Sequence, residues 1–437
     1  MKIVSSYKAA ILPSSKIPFN DTIALYRKAA SYLIDVFYKE WDSLSSVSGT
    51  NRKLLAERLI HSTAHNTAKY DFDKKFYKLP SYFRRAVQNA ALGAVSSYTT
   101  KHAKWEKSHQ GKEPSLQCER DVMPVFYNTH MYKTEPTGEH YVKLYHKGDW
   151  RWFPIRMRAT DMKYIEKYWS HCAASVPTLE KHYGRYYLRF AFEEKIPLSE
   201  TPIQKQRICS VDLGLNTDAV CSIMDSTGTI LDRKFIDFTS DKDQLGHLLN
   251  RIKRQQKTYG PKSLHGLWSY TRCLNDELAI KIATAITEYA VLNSVDTIVF
   301  EHLDFKGKKK HGTKAQKLTM WKHGAIQKYV MHKAHRCGIH ISHICAWNTS
   351  ALAYDGSGKL TRDHKNHALA KFQNGKSYNC DLSASYNIGA RYFIRELLKA
   401  TPVKERSRLL AEVPEAERRT SCTLSSLWKL NEALKAA

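Results

Sequence analysis

Three acidic side chains lie far apart in the chain, and the local sequence around each would deliver a carboxylate to a shared point. Asp212 ends the apolar run 207–211, and Glu301 directly follows the apolar run 297–300, so both are expected at strand ends. Asp381 precedes small residues that suit a helix start packed on a sheet, and we expect it at the helix N-cap or just before it. A single acid is usually an ordinary surface residue, so the shared context makes these three candidates.

Carboxylates are hard oxygen ligands, and three of them without cysteine or histidine favour magnesium or manganese over zinc. Two such ions roughly 4 Å apart can activate a water and stabilise the leaving oxygen of a phosphodiester. Asp212, Glu301 and Asp381 are therefore predicted to be metal ligands and catalytic residues of a nuclease.

The segments around these acids predict a mixed sheet. Runs 219–224 and 229–231, joined by the turn-forming cluster 225–228, read as an antiparallel hairpin, and Gly214 stands where the preceding strand must turn. Apolar residues at helical spacing from Leu278 predict a crossover helix that leads into the strand before Glu301. Further along, residues 322–337 predict an amphipathic helix.

The amino-terminal half changes character twice. Residues 2–12 read as a strand, Asn20 reads as the cap of the first of three helical segments that extend to about residue 108, and short aromatic or β-branched strands follow from about residue 118. This order predicts a small β-barrel interrupted by a helical insertion. The tail from about residue 400 is polar and helix-prone, and no chemistry can be assigned to it.

Composition indicates a polyanionic partner. Lysine and arginine number 69 against 42 acids, a net charge of +27, which favours nucleic acid through counterion release; a basic surface that binds nothing is the alternative. The 437 residues are 42% hydrophobic, enough for two or three domains. No apolar stretch approaches the ~20 residues that span a membrane, and residues 1–12 hold no signal peptide. Nine cysteines without C-x-x-C pairs suit reduced thiols, so we expect a soluble cytoplasmic protein, nucleoid-associated when bound to DNA.

The three acid motifs carry a family resemblance. SVDLGLN, VFEHLDF and DLSASYNIGARYF resemble the RuvC motifs of the TnpB (OrfB) proteins of bacterial insertion sequences and of the related compact type V CRISPR effectors. The likeness is specific over roughly residues 207–395. It implies an RNA-guided, Mg²⁺-dependent DNA endonuclease, with Mn²⁺ as the alternative ion, and a guide RNA and a double-stranded DNA target as partners.

The resemblance also implies a domain plan. An α/β RNase H-like (RuvC) nuclease domain would occupy residues 207–437, a wedge-like β-barrel would comprise 1–14 and 111–206, and a helical recognition insertion would span 15–110. Within the nuclease domain, residues 345–380 correspond to the family's zinc ribbon, a target-nucleic-acid-binding segment.

This ribbon segment lacks all four of the family's cysteines. We therefore expect a short metal-free loop or hairpin and no zinc, although loss of the ribbon metal could weaken loading of the strand to be cut. A replacement zinc site is the alternative, and its possible ligands do not match a standard zinc spacing: they are His332, His335, Cys337, His340, His343 and Cys345.

Basic residues that alternate with aromatics, decorate helices or lie beside the acid motifs are predicted to contact nucleic acid. They are Arg84, Arg85, Arg151, Arg156, Arg158, Arg251, Lys253, Arg254, Lys308, Lys309, Lys310 and Arg362. The alternative for each stretch is a solvated charged face. Aromatic residues among them also suit a barrel core.

Three other functions stay open. An RNA-guided DNA-binding regulator with little or no cleavage would fit best if an acid were lost, and none is. A transposase would normally end its acid set with a glutamate on a helix, whereas here an aspartate comes last. A structural RNA-binding protein would need no acid triad.

Overall fold

The computed structural model describes residues 1–13, 17–109, 111–116, 122–182, 184–260, 264–303, 320–363, 366, 368–418 and 420–436. The chain forms two compact units, one of residues 2–194 and one of residues 195–437 together with Met1. None of the eight cysteines in the described ranges forms a disulfide bond. No described helix is long and apolar enough to cross a membrane.

The first unit combines one sheet with a helical segment. Its elements are β1 (Lys2–Leu12), α1 (Phe19–Lys39), α2 (Trp41–Ser45), α3 (Gly49–Ile60), α4 (Phe72–Lys75), α5 (Ser81–Ser108), β2 (Tyr132–Thr134), β3 (His140–His146), β4 (Asp149–Met157), α6 (Ala159–Trp169), β5 (Ala173–Ala174), β6 (Thr178–His182) and β7 (Arg185–Lys195).

The helices of this unit are inserted between strands of one sheet. Strand β1 lies between β4 and β7 in a seven-stranded sheet of order β2-β3-β4-β1-β7-β5, with β6 also paired to β7. Helices α1 and α5 pack against each other through the edge-to-face rings of Tyr26 and Phe83, whose centroids are 5.1 Å apart. In the sequence, helices thus separate β1 from the other strands of this sheet, and closure of the strands into a barrel stays a prediction. Asn20 does not cap α1, because the helix already begins at Phe19.

The second unit has the elements β8 (Arg207–Leu213), β9 (Ala219–Asp225), β10 (Ile230–Ile236), α7 (Thr239–Tyr259), α8 (His265–Leu292), β11 (Thr297–His302), α9 (His323–Arg336), β12 (His340–Cys345), β13 (Thr361–Arg362), β14 (Leu369–Lys371), β15 (Ser377–Asn379), α10 (Cys380–Ala400), α11 (Val403–Glu412) and α12 (Leu424–Lys435).

A five-stranded mixed sheet organises this unit, in the order β10-β9-β8-β11-β12. Strands β8, β9 and β10 pair antiparallel, as the hairpin pattern predicts. Strand β11 pairs parallel to both β8 and β12, as a strand reached through a helical crossover must. Gly214 makes the turn after β8, where a Cβ atom would lie 2.5 Å from the carbonyl oxygen of Thr217.

Helices cover both faces of the sheet. Helices α8 and α9 supply one core with Ile282, Ile286, Ile326 and Val330. Helices α10 and α12 supply the other with Ile388, Phe393, Leu427 and Leu430. The tail beyond residue 400, to which the sequence gives no role, thus completes a hydrophobic core.

The predicted metal-free ribbon segment forms a small antiparallel sheet of order β13-β14-β15. This is one strand more than the predicted loop or hairpin, because Ser377–Asn379 pairs with β14 immediately before helix α10 begins. The segment therefore leads directly into the helix that carries Asp381.

Candidate active site

Asp212 and Glu301 meet at the carboxyl ends of two parallel strands. Val211 of β8 pairs with Phe300 of β11, so Asp212 and Glu301 are the next residues along each strand. Both acids lie inside their strands, one residue before the end, because each strand continues two residues past the apolar run that predicts it. Neighbouring strands are about 4.8 Å apart, so the register brings the two carboxylates together.

Strand alternation directs both acids to the face that α10 covers. On β8, Cys209 and Val211 contribute to the core under α8 and α9, whereas Ile208 contributes to the core under α10. Side chains two apart share a face, so Asp212 lies on the α10 side with Ile208. The same reasoning places Glu301 with Val299, which also belongs to the α10 core.

Helix α10 brings Asp381 to this face. Asn379 is the helix N-cap and its side chain accepts a hydrogen bond from the backbone N–H of Leu382 at 2.9 Å. The prediction that Asp381 caps the helix, or lies just before it, is therefore wrong. Asp381 lies in the first turn, and because Asn379 caps the helix, the Asp381 carboxylate is not needed for that task.

Small residues let α10 approach the sheet closely, as predicted. Gly389 faces Met224 and Ser210, and a Cβ atom at this position would lie 3.0 Å from the Met224 methyl carbon. One turn earlier in the helix, the Ser385 hydroxyl lies 2.6 Å from that of Ser222 on β9. A bulky residue at either helical position would push the helix, and Asp381 with it, away from β8.

The electrostatics of Asp212 place Glu301 and Asp381 within reach of its charge. Burial among protein atoms raises the pKa of Asp212 well above its ordinary value, and the charges of Glu301 and Asp381 raise it further, whereas Arg362 lowers it. All three acids keep partial access to solvent. The carboxylates therefore repel each other in a site that solute can still reach.

Glu301 carries a carboxylate oxygen with no hydrogen-bond partner among the described residues. This atom, Oε1, is buried. Burial raises the pKa of Glu301, while the nearby Thr349 side chain and the charge of Arg391 lower it. A buried oxygen without a donor is costly, and a cation would satisfy it.

Arg391 is a site residue that the sequence reasoning misses. Its guanidinium donates hydrogen bonds to four backbone carbonyls, those of Cys345, Trp347, Thr420 and Cys422, at 2.7–3.1 Å. The side chain is buried, and its positive charge lowers the pKa of Glu301. Arg391 lies in the third acid motif and Thr349 in the ribbon segment, but nothing in the amino-acid sequence shows that either lies near Glu301.

The donor set fits a divalent cation with oxygen ligands. It consists of three carboxylates on one face of the sheet, which do not all lie within 4.8 Å of one another, together with mutual repulsion at Asp212 and an unsatisfied oxygen on Glu301. No histidine contributes to the pKa shifts of Asp212 or Glu301. Oxygen donors without nitrogen or thiolate are the preference of Mg²⁺ and Mn²⁺.

Arg362 of the ribbon segment lies close enough to lower the pKa of Asp212. Its side chain is exposed at the edge strand β13. Arg362 is thus a predicted nucleic-acid contact that the structure brings to the acid cluster. A phosphate between Arg362 and bound cations would be held from both sides.

Polar contacts connect the two turns of the ribbon segment. The Asp355 carboxylate accepts hydrogen bonds from the Ser357 N–H at 3.0 Å and from the Asn374 side chain at 2.9 Å. The Lys376 ammonium donates to the Tyr354 hydroxyl at 2.6 Å. Within the described ranges, the alternative zinc ligands at 332–345 do not come together, since the one group of three potential ligands lies elsewhere.

The other predicted nucleic-acid residues divide into two groups. Arg84 is buried, with Asp73 at 3.3 Å and Glu57 at 3.6 Å, so its charge is neutralised inside the helical segment and we do not retain it as a contact. The remaining described members are exposed: Arg85, Arg151, Arg156, Arg158, Arg251, Lys253 and Arg254. Lys308, Lys309 and Lys310 lie outside the described residues.

Among the aromatics interleaved with these cations, Trp150 has a packing role. Its ring lies 4.8 Å from that of Phe83 and 5.6 Å from that of Tyr145. Trp150 therefore joins the helical segment to the sheet of the first unit.

Comparisons with known proteins identify the fold. CasPhi-2 (Cas12j) bound to crRNA and phosphorothioate DNA is similar over 90% of this chain and 91% of that chain, with 9% identity and a TM-score of 0.51. Cas12f1 in complex with sgRNA and target DNA matches over 88% of this chain and 98% of that chain, with 14% identity and a TM-score of 0.36. C2c1 of Alicyclobacillus acidoterrestris in complex with single-guide RNA matches over 83% and 65%, with 9% identity and a TM-score of 0.42.

The likeness to CasPhi-2 shows a shared fold, which confirms the type V part of the predicted resemblance; the TnpB part stays a prediction. A model of the Aq_aa04 family matches residues 5–146. Comparison with curated proteins gives no match.

Proposed function

We propose that this protein is an RNA-guided, metal-dependent DNA endonuclease whose active site is the cluster of Asp212, Glu301 and Asp381. The observation that carries the proposal is the adjacency of Asp212 and Glu301 in register, with Asp381 close enough to raise the pKa of Asp212. Acids gathered from two strands and one helix cost folding free energy unless a cation neutralises them.

The cluster suits two Mg²⁺ ions, which would be held by the three carboxylates. Such ions supply an activated water and charge stabilisation for the departing oxygen of a phosphodiester. The chain's own contribution is to fix the carboxylates. Thr349 favours the charged form of Glu301, Asn379 caps the helix that carries Asp381, and Arg362 offers a charge to a phosphate.

Nucleic-acid binding is supported by charge and by the fold relatives. The net charge of +27 favours polyanions. The exposed Arg251, Lys253 and Arg254 lie on one helix of the second unit, and Arg151, Arg156 and Arg158 lie on or next to strand β4 of the first. CasPhi-2, whose fold this chain shares, was determined with a crRNA and DNA. We infer that the partners here are likewise a guide RNA and double-stranded DNA, with base pairing choosing the target.

The domain plan of the proposal assigns residues 207–437 to a RuvC-type nuclease domain, 1–14 and 111–206 to a wedge-like β-barrel and 15–110 to the recognition insertion. Residues 345–380 act as a ribbon that needs no zinc. The working compartment is the bacterial cytoplasm, on the nucleoid. The presence of all three acids favours cleavage over the alternative of a guided DNA-binding regulator.

The proposal is tested by expressing the protein with its native flanking DNA and sequencing the RNA that co-purifies. The complex is then incubated with plasmid DNA that matches the RNA and with unmatched plasmid, in Mg²⁺. We expect one discrete RNA and cutting of the matched plasmid. Binding of the matched plasmid without cutting would support the regulator, and absence of any discrete RNA would refute guidance.

A further inference from the structure

A second set of metal-ligand side chains lies in the first unit. His171, Cys172 and Glu194 each offer one ligand atom, and these atoms all lie within 4.8 Å of one another. In the part of the chain that the structure describes, no other three His, Cys, Asp or Glu side chains bring their ligand atoms this close together. All three belong to residues 2–194, so the site is independent of the acid cluster.

Local structure explains why these residues converge. Strand β5 runs antiparallel to the end of β7, with Ala173 opposite Glu193 and Ala174 opposite Phe192. Continued by one position, this register places Cys172 opposite Glu194. His171 lies in the turn that connects helix α6 to β5.

The framework around the three side chains is anchored. Trp169, the last residue of α6, stacks on Phe192 of β7 with ring centroids 5.0 Å apart and planes inclined by 4°. The Cys172 N–H also donates to the Trp169 carbonyl at 3.0 Å. Because the turn is held to β7 on both sides of His171, the backbone that carries the ligands is already in place before any ion binds, which lowers the entropic cost of binding.

The spacing of His171 and Glu194 is compatible with a metal ion bound between them. His171 Nε2 and Glu194 Oε1 are 3.5 Å apart, whereas a charge-assisted hydrogen bond is about 2.7–2.9 Å long. Two ligands bound at about 2.0–2.1 Å to a tetrahedral zinc ion are separated by roughly 3.4 Å. The observed separation is therefore close to the edge of a zinc tetrahedron, and in the absence of an ion the two groups form a long ion pair.

We propose that His171, Cys172 and Glu194 bind one Zn²⁺-class ion that fastens the turn after α6 to the end of β7. The donors are an imidazole nitrogen, a thiolate and a carboxylate oxygen, which together suit Zn²⁺ or Co²⁺ and not Mg²⁺. Three protein ligands leave a fourth position for water. The Cys172 thiol gives up its proton to the solvent when the ion binds. The ion would tie down β7 where the chain passes into the second unit at Lys195.

Titration of the full-length protein with Co²⁺ under reducing conditions tests the site, because a thiolate bound to Co²⁺ gives a charge-transfer band that carboxylates do not give. We expect a saturable band at one equivalent, bleached by Zn²⁺. Cys172→Ser should abolish the band, and His171→Ala should weaken Co²⁺ binding at least about tenfold, since even outer partners of metal ligands contribute 10–100-fold.

Two control variants, each lacking a different thiol, test whether the band comes from Cys172. Cys273→Ser removes an exposed thiol of the second unit, and Cys380→Ser removes the thiol beside Asp381. Both should retain the band. Circular dichroism shows whether each variant folds, and Glu194→Gln, which keeps the thiol, should retain a band but require more Co²⁺. A wild-type protein without the band, or a band that survives in Cys172→Ser, would overturn the proposal.

Discussion

Asp212 and Glu301 lie side by side on parallel strands, one position past the hydrogen-bonded neighbours Val211 and Phe300. Residues 89 positions apart in the sequence thus present two carboxylates to one helix start. The pairing fixes their spacing through the backbone, and Asp381 then completes the cluster from the first turn of α10. Loss of any one carboxylate should affect chemistry more than folding.

Replacing Glu301 with Gln should remove cleavage while leaving RNA binding intact. The amide keeps the shape of the side chain but cannot neutralise a cation. We expect a loss of more than about a hundredfold in the cleavage rate, since even outer-sphere partners of a metal contribute 10–100-fold. The matched control is Glu288→Gln, an exposed acid on α8, which should cleave at the wild-type rate. Equal rates for both variants would exclude Glu301 from the site.

Asp212→Asn should stabilise the protein in the absence of metal while abolishing its activity. Burial and the neighbouring acids raise the pKa of Asp212 in the folded state, so the folded protein holds this proton more tightly than the unfolded chain. Wild-type stability therefore falls as pH rises from the unfolded pKa to the folded one. We expect Asn to raise Tm at neutral pH, by about 2–4 °C for each kcal/mol.

This gain should shrink as pH is lowered, because the wild-type carboxyl then becomes neutral too. Mg²⁺ should raise the Tm of the wild type more than that of Asp212→Asn. Thermal melts at several pH values with and without Mg²⁺ measure both effects. A variant less stable than the wild type at every pH would contradict the electrostatic account.

Thr349→Ala should raise the Mg²⁺ concentration needed for cleavage. The Thr349 side chain lowers the pKa of Glu301, and its hydroxyl donates a hydrogen bond to the Ala346 carbonyl at 2.9 Å, so its loss removes a polar group that keeps Glu301 charged and that orders the segment beside it. We expect a 10–100-fold shift of the half-saturating Mg²⁺ concentration, which is typical of residues that orient metal ligands, with the rate recovering at saturating Mg²⁺. Thr349→Ser should restore the wild-type curve. A uniform loss at all Mg²⁺ concentrations would indicate a folding defect instead.

Asp355→Ala should destabilise the ribbon segment. Asp355 joins its two turns through Ser357 and Asn374, and these hydrogen bonds lower the pKa of the carboxyl despite its partial burial. A lowered folded pKa gives stability that is present above the unfolded pKa and is lost as pH falls through the folded one. We expect a loss of about 1–3 kcal/mol at neutral pH that fades in acid.

Urea unfolding of the wild type and Asp355→Ala at neutral and at acidic pH measures the difference in their free energies of unfolding. Asp243→Ala, on the exposed surface of α7, is the control. A cost that persists unchanged in acid would show that the carboxylate charge is not the source of the stability. A ribbon that loses structure on zinc chelation would contradict the metal-free description.

The basic face of α7 should contribute to affinity for nucleic acid of any sequence. Each phosphate contact adds about 0.9 to the slope of log affinity against log salt concentration for duplex DNA. Arg251→Ala combined with Arg254→Ala should therefore reduce that slope by about 1–2. Lys429→Ala, whose ammonium lies 3.1 Å from Glu415, is the control. Filter binding at several salt concentrations measures the slopes, and an unchanged slope would remove α7 from the interface.

The sequence predicts the local features of the site well. The runs before Asp212 and Glu301 are strands, the hairpin after Asp212 forms, and the small residues after Asp381 do pack on the sheet. These features depend on periodicity and turn chemistry over a few residues, which can be read directly from the amino-acid sequence. Strands β8 and β11 end two residues beyond the apolar runs that predict them. The N-cap of α10 lies two residues before Asp381, because Asn379 competes for this position with equal propensity.

Features that depend on contacts between residues far apart in the chain cannot be predicted from the local sequence. Arg84 looks like its neighbour Arg85, yet it is buried because Glu57 and Asp73 come from two other helices. The convergence of Thr349 and Arg391 on Glu301, and the packing of the carboxyl-terminal helix on α10, likewise require the folded chain.

Guided cleavage by wild type, Asp212→Ala and Asp243→Ala, assembled with the same RNA and tested on the same matched plasmid in Mg²⁺, addresses the central claim most directly. Asp243 is an exposed acid on α7, so it controls for loss of one negative charge. We predict that wild type and Asp243→Ala cut the plasmid, and that Asp212→Ala binds the RNA and the plasmid but leaves the DNA intact. Cutting by Asp212→Ala at the wild-type rate would contradict the assignment of this cluster as the nuclease site.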